Sequence, residues 1–69
     1  MENHVFKLVE IVGTSNEGID GAVKAALDRA RDTIRKVRWF EMAAARGFVD
    51  DNGAIQYQVT LKIGFALDD

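Results

Sequence analysis

Hydrophobic and polar residues alternate along three stretches of this chain and recur every three or four residues along a fourth. Val5 to Val12, Arg38 to Met42 and Ile55 to Ile63 alternate, the first of them ending at Gly13. A period of two is the mark of a half-buried strand. Between the first two runs, Ile19, Val23, Ala26, Leu27, Ala30, Ile34 and Val37 form an apolar stripe, with Lys24, Asp28, Arg31, Asp32 and Arg35 on the opposite side. That spacing predicts an amphipathic helix from about Gly18 to about Lys36. Thr14 or Ser15 is placed to cap it, and Glu17 and Asp20 favour its positive end. Asp28–Arg31 and Asp32–Lys36 are expected surface ion pairs, each worth roughly 0.2–0.5 kcal/mol.

The order is strand, helix, strand, strand. Asn52-Gly53 between two alternating runs is a strong hairpin signal. Taken as a two-residue loop, it sets Asp51 opposite Ala54 and fixes the register. One face then collects Phe40, Met42, Ala44 and Phe48 with Ile55, Tyr57, Val59, Leu61, Ile63 and Phe65. The other collects Trp39, Glu41, Ala43, Ala45 and Gly47 with Gln56, Gln58, Thr60, Lys62, Gly64 and Ala66. The helix reverses the chain, so the first two strands run parallel and an all-antiparallel sheet needs the third, Ala54 to Leu67, in its centre. The expected fold is α+β, a βαββ arrangement whose three-stranded antiparallel sheet wraps around one helix on its apolar face.

Trp39, the only tryptophan, falls on the polar, small-residue face, where a large flat ring suits either an oligomer interface or stacking on a planar heterocycle. Gln58 and Gln56 share that face, and a carboxamide offers donor and acceptor together. In this register Trp39 faces Ala66, eight residues from Gln58, or roughly 26 Å at about 3.3 Å per residue. Both reach one ligand only from different chains, so the pocket is expected to form on assembly. Strict alternation aims Arg46 at the helix, which is wrong for a charge. A bulge near Ala45-Arg46-Gly47 would turn it outward, towards a ligand phosphate or a neighbouring subunit's carboxylate.

Composition narrows the function classes. With 69 residues, no cysteine, no proline and one histidine, the chain is read as a single domain over residues 1–69. Domains this small commonly rely on disulfides, a metal or oligomerisation. The first is excluded, and a thiolate or histidine-rich zinc site is too. Self-association remains, and 48% hydrophobic residues point the same way. No apolar run approaches a membrane span, and the polar N-terminus is unlike a signal peptide; the expected location is cytoplasmic. Net charge −2 and a pI near 5.2 argue against nucleic acid, although Arg29, Arg31, Arg35, Lys36 and Arg38 form a basic cluster interrupted by Asp28 and Asp32. Ser15, at a helix start, is a cap rather than a nucleophile, and the acidic pairs lie in a turn and at the terminus. Gly13 to Gly18 lacks the Gly-Lys-Ser/Thr ending of a phosphate loop. No enzymatic activity is expected.

Several stretches together resemble a known family: Glu10-Ile-Val-Gly-Thr-Ser15, Arg29-Ala-Arg-Asp-Thr-Ile-Arg35, Trp39-Phe-Glu41, Arg46-Gly47 and Tyr57-Gln-Val-Thr-Leu-Lys-Ile-Gly-Phe65. They look like a dodecin, one of the small flavoproteins that assemble as hollow dodecamers, and they span nearly the whole chain in order. The resemblance implies a βαββ fold and a homododecamer that stores flavin and shields it from light without turnover. Family members stack flavin pairs across two-fold axes, each pair between two symmetry-related tryptophans. Trp39 matches the stacking residue and Gln58 the glutamine at the isoalloxazine edge. Arg46 stands where bacterial members carry an arginine associated with FMN or coenzyme A. FMN or riboflavin is the implied ligand. Ala66 replaces an arginine often found in bacterial members, which removes a contact for coenzyme A and weakens a preference for FMN over riboflavin. The alternative is a purely structural homo-oligomer in which Trp39 only anchors an interface.

Overall fold

A computed structural model describes residues 3–67 and contains, in chain order, β1 (Phe6–Ser15), α1 (Ile19–Thr33), β2 (Val37–Val49) and β3 (Ile55–Ala66). The strands form one antiparallel sheet in the order β1-β3-β2. The βαββ order and the central third strand are as the hydrophobic pattern predicts.

Packing begins with small residues. Ala22, Ala26 and Ala30 of α1 lie against Val59, Leu61 and Ile63 of β3, and all six are buried. Gly13 lets the helix approach β1: a Cβ there would meet the Ala22 carbonyl oxygen at 2.5 Å and the Ala26 Cβ at 2.7 Å. The central stripe is therefore Ala22, Ala26 and Ala30, with Ile19, Val23 and Leu27 flanking it part-buried. Ala22 is absent from the stripe read off the sequence, because an alanine carries little hydrophobic weight until backbone proximity makes its smallness useful.

The ends of α1 differ from expectation. Strand β1 runs on through Gly13 to Ser15, and the helix N-cap is Gly18, without a side-chain cap. Ser15 Oγ instead accepts a hydrogen bond from the Glu17 N–H at 3.0 Å. The helix stops at Thr33; Ile34 is extended and Lys36 has φ 62. This left-handed residue turns the chain into β2, so the i,i+4 geometry needed for Asp32–Lys36 does not exist. Asp28 pairs with Lys24, 3.7 Å away, rather than with Arg31.

The hairpin loop also differs. Its last strand pair is Val49–Ile55, and the Asp50 N–H donates to the Ala54 carbonyl at 3.0 Å. Three residues, Asp51 to Gly53, make the turn. The Asp50 carboxylate accepts from the Asn52 and Ala54 N–H groups, each at 2.9 Å, and Gly53 takes φ 85, the left-handed position that closes such a loop. Further along, the register shifts at Ala43 and again at Arg38.

The result is an elongated chain, 55 × 20 × 14 Å with a radius of gyration of 14.4 Å, against about 11 Å for a compact domain of this length. Its accessible surface is 5186 Å², where about 4,300 Å² is usual for the mass. Phe6, Leu8, Val12, Trp39, Phe40, Met42, Phe48, Val49 and Ile55 all remain exposed.

Candidate functional site

The face of the sheet turned away from α1 is built by rows across β1, β3 and β2. Leu8, Gly64 and Trp39 form one row, then Glu10, Lys62 and Glu41, then Val12, Thr60 and Ala44, then Thr14, Gln58 and Arg46. Directly paired residues share a face, and Val59, Leu61 and Ile63 between these positions point to the helix.

Trp39 is on this outer face, as the alternation predicts, but its partner is Gly64, not Ala66. Its ring lies across that glycine: a Cβ at Gly64 would overlap the indole atoms Cε2, Cζ2 and Cδ2. Three ring atoms around one point mean that the ring presents a face, not an edge, to the backbone. Gly64 is buried beneath it, and Trp39 as a residue remains 40% exposed. Gly64 thus leaves room for the chain's own indole, whose opposite face is turned outward. A glycine inside a strand is a recognised sign of close approach by another group, and that signal could have located the contact.

Arg46 is exposed on the outer face, directly opposite Gln58, which is half-buried. The expected outward turn exists, but the bulge that produces it is at Ala43 rather than at Ala45-Arg46-Gly47. Between that bulge and the three-residue turn, Ala44 and Phe48 lie on the outer face and Ala45 and Gly47 on the helix side, the reverse of the expected assignment. Thr14 joins Arg46 and Gln58 from β1, a neighbour that the hairpin register alone could not supply.

The structure does not bring Trp39 and Gln58 together within one chain. Gly64 and Gln58 are six residues apart on β3, roughly 20 Å. Two rows lie between them, one with Lys62 flanked by Glu10 and Glu41, the other with Thr60 flanked by Val12 and Ala44. Among the described residues no group of three or more His, Asp or Glu side chains converges to hold a metal ion, and none is cysteine. No described helix is long and apolar enough to cross a membrane.

Comparison with known proteins is consistent along the whole length. The dodecin of Thermus thermophilus is 49% identical over 65 residues, 94% of each chain. The solved dodecin of Streptomyces davaonensis superposes with a TM-score of 0.91 at 41% identity, over 99% of this chain and 100% of that one. The calcium dodecin of Mycobacterium tuberculosis is 32% identical over 63 residues, 91% of this chain and 89% of that protein. Its crystal structure, described as having a calcium-binding site, gives a TM-score of 0.84 over 93% of this chain and 91% of that one. The dodecin family model matches residues 5–68. With the strand order, the small-residue helix contact and nearly every residue accounted for, this chain belongs to the dodecin family of small binding proteins.

Proposed function

We propose that the protein sequesters flavin, FMN or riboflavin, by stacking it between the Trp39 rings of two copies within a homododecamer. The observation that carries this reading is the indole itself, laid flat on Gly64 with its other face outward and Trp39 as a residue 40% exposed. A ring supported by backbone on one side is held in place for stacking on the other, so little freedom is lost when a planar ligand arrives. One such face contributes on the order of 1–3 kcal/mol, whereas micromolar affinity requires about 8 kcal/mol. A second indole, ligand–ligand stacking and edge hydrogen bonds must supply the difference.

Gln58 is the edge partner in this reading, contributed by a different chain from the stacking Trp39 because roughly 20 Å separates the two in one chain. Arg46, beside it, is suited to a ligand phosphate. Photoprotection follows from contact: an electron-rich indole against a photoexcited isoalloxazine quenches it before it reacts. Stacking takes up the ring faces at which chemistry would occur, so the reading is a binder rather than an enzyme, and the cytoplasm is its expected location. Coenzyme A is left aside, since Ala66 offers no charge. Calcium is named for the M. tuberculosis relative, and among the described residues of this chain no three acidic or histidine side chains converge.

A purely structural oligomer is the second reading, favoured by the apolar surface left uncovered in a single chain. Titrating FMN and riboflavin into the protein while following flavin fluorescence separates the two. The flavin reading expects quenching by the native chain, and an intact assembly that no longer quenches in Trp39→Ala. Unquenched flavin, or equal binding by Trp39→Ala, overturns it.

A further inference from the structure

Three successive residues at the end of β1 divide between the two faces of the sheet. Gly13 is packed under α1, where a Cβ would meet Ala26. Ser15 is on the same side, close to Gly21, and its hydroxyl accepts a hydrogen bond from the Glu17 N–H. Thr14 lies between them on the outer face, exposed. Its place before the helix suggests a cap, but the N-cap of α1 is Gly18, with no side-chain bond. The fold gives its hydroxyl no task.

The sheet places that hydroxyl beside the candidate site. Thr14, Gln58 and Arg46 stand in one row across β1, β3 and β2, about 4.8 Å from strand to strand. Among the described residues, none of these three side chains makes a hydrogen bond or ion pair. A hydroxyl, a carboxamide and a guanidinium thus face outward side by side with their hydrogen-bonding capacity unused. All three belong to one chain, so a ligand edge that meets Gln58 lies between Thr14 and Arg46.

The order of the row decides which ligand atom meets which side chain. In an isoalloxazine the ribityl chain leaves N10, on the N1 and O2 side of the pyrimidine ring. N3–H is in the middle of that edge, and O4 and N5 are at its far corner. With Arg46 at the phosphate, the ribityl side lies towards β2. The Gln58 carboxamide, donor and acceptor together, matches N3–H and its adjoining carbonyl. The far corner then falls to β1. N5 of the oxidised ring is an acceptor, and Thr14 offers a donor on a stiff, β-branched side chain. Thr60 shares the outer face but follows Gln58 along β3, towards Lys62, rather than standing across from it.

We propose that Thr14 donates a hydrogen bond to N5 of the bound flavin, and so selects ligands that carry an acceptor at that position. The inference rests on the flavin reading above and names one more contact in the same site.

The probe is 5-deazariboflavin, in which a C–H replaces N5; neither it nor riboflavin has a phosphate, so Arg46 stays out of the comparison. Equilibrium dialysis against the assembled protein measures both affinities. The native chain is expected to prefer riboflavin about fivefold, the worth of one hydrogen bond, and no preference overturns the proposal before any variant is made. Thr14→Val is expected to lose about fivefold in riboflavin affinity and nothing in 5-deazariboflavin affinity. Thr14→Ser keeps the donor and is expected to keep the native ratio. An equal loss for both ligands in Thr14→Val would make the residue a structural one, and unchanged affinities would leave it without a contact. Either result overturns the proposal with the flavin reading still standing, as does a selective loss that appears in Thr60→Val instead. A native chain that binds neither ligand overturns both.

Discussion

The two flanks of the central strand β3 are built on different plans. On the β1 side, Gly13, Ala22 and Ala26 bring helix and strand close enough that a single added methyl group would collide. On the β2 side, the helix stands off, Phe40 and Met42 remain half exposed, and the hairpin projects past everything else. The first flank is finished by the chain itself. The second presents apolar side chains that only another molecule can cover, and the flat outward indole of Trp39 belongs to it. Stability of the single chain and function in the assembly therefore rest on separate residues, and substitutions should divide accordingly.

The largest effect is expected on the central strand itself, whose inward side chains the helix covers. Leu61→Ala removes a fully buried side chain and should cost about 2–5 kcal/mol, read as a lower denaturation midpoint in urea and weaker assembly. Trp39→Ala tests the β2 flank. It should leave the denaturation midpoint nearly unchanged while flavin affinity falls by about 1–3 kcal/mol for each ring face lost, measured by fluorescence titration. Gly64→Ala sharpens the comparison further, because its methyl group must displace the indole without deleting it. Tryptophan emission should shift and flavin quenching should weaken with the assembly still formed; unchanged emission would mean that the ring does not lie on the glycine in solution. A smaller and selective effect is expected of Arg46→Ala: FMN affinity should fall by about 1.5 kcal/mol with riboflavin affinity nearly constant. An equal loss for both would assign Arg46 to a subunit contact. Lys24→Ala, on an exposed i,i+4 pair, should change stability by less than about 0.5 kcal/mol.

The outward position of Trp39 was legible in the sequence for a partly fortuitous reason. Asn52-Gly53 located the hairpin, but the Asp50 carboxylate closes a three-residue turn and shifts the register by one. That shift inverts the faces of β2 near the tip. The extra residue at Ala43 inverts them back, so Trp39, Phe40, Glu41 and Met42 lie where simple alternation puts them, whereas Ala44 to Phe48 do not. Alternation is a rule of parity, and one bulge is invisible to it until strands are paired. Arg46 shows the useful side of that failure: a charge aimed at the helix demanded a bulge, and one exists two to three residues earlier than expected. The helix was legible from its stripe, but its C-terminal end was not. Ile34 and Val37 continue the apolar spacing past Thr33 because they cover the same core from a turn and a strand. Gly64 inside a strand signals a close approach, but the sequence register paired Trp39 with Ala66, so the group that approaches was identified only by the observed pairing.

In the proposed function, an exposed indole on an unfinished flank acquires its role through a second copy. Sedimentation of the protein with added FMN, followed at both protein and flavin absorption, tests it most directly. Flavin is expected to move with a species many times 7.7 kDa, and Trp39→Ala to sediment at the same rate without it. Flavin carried by a single chain, or carried equally by Trp39→Ala, would contradict it.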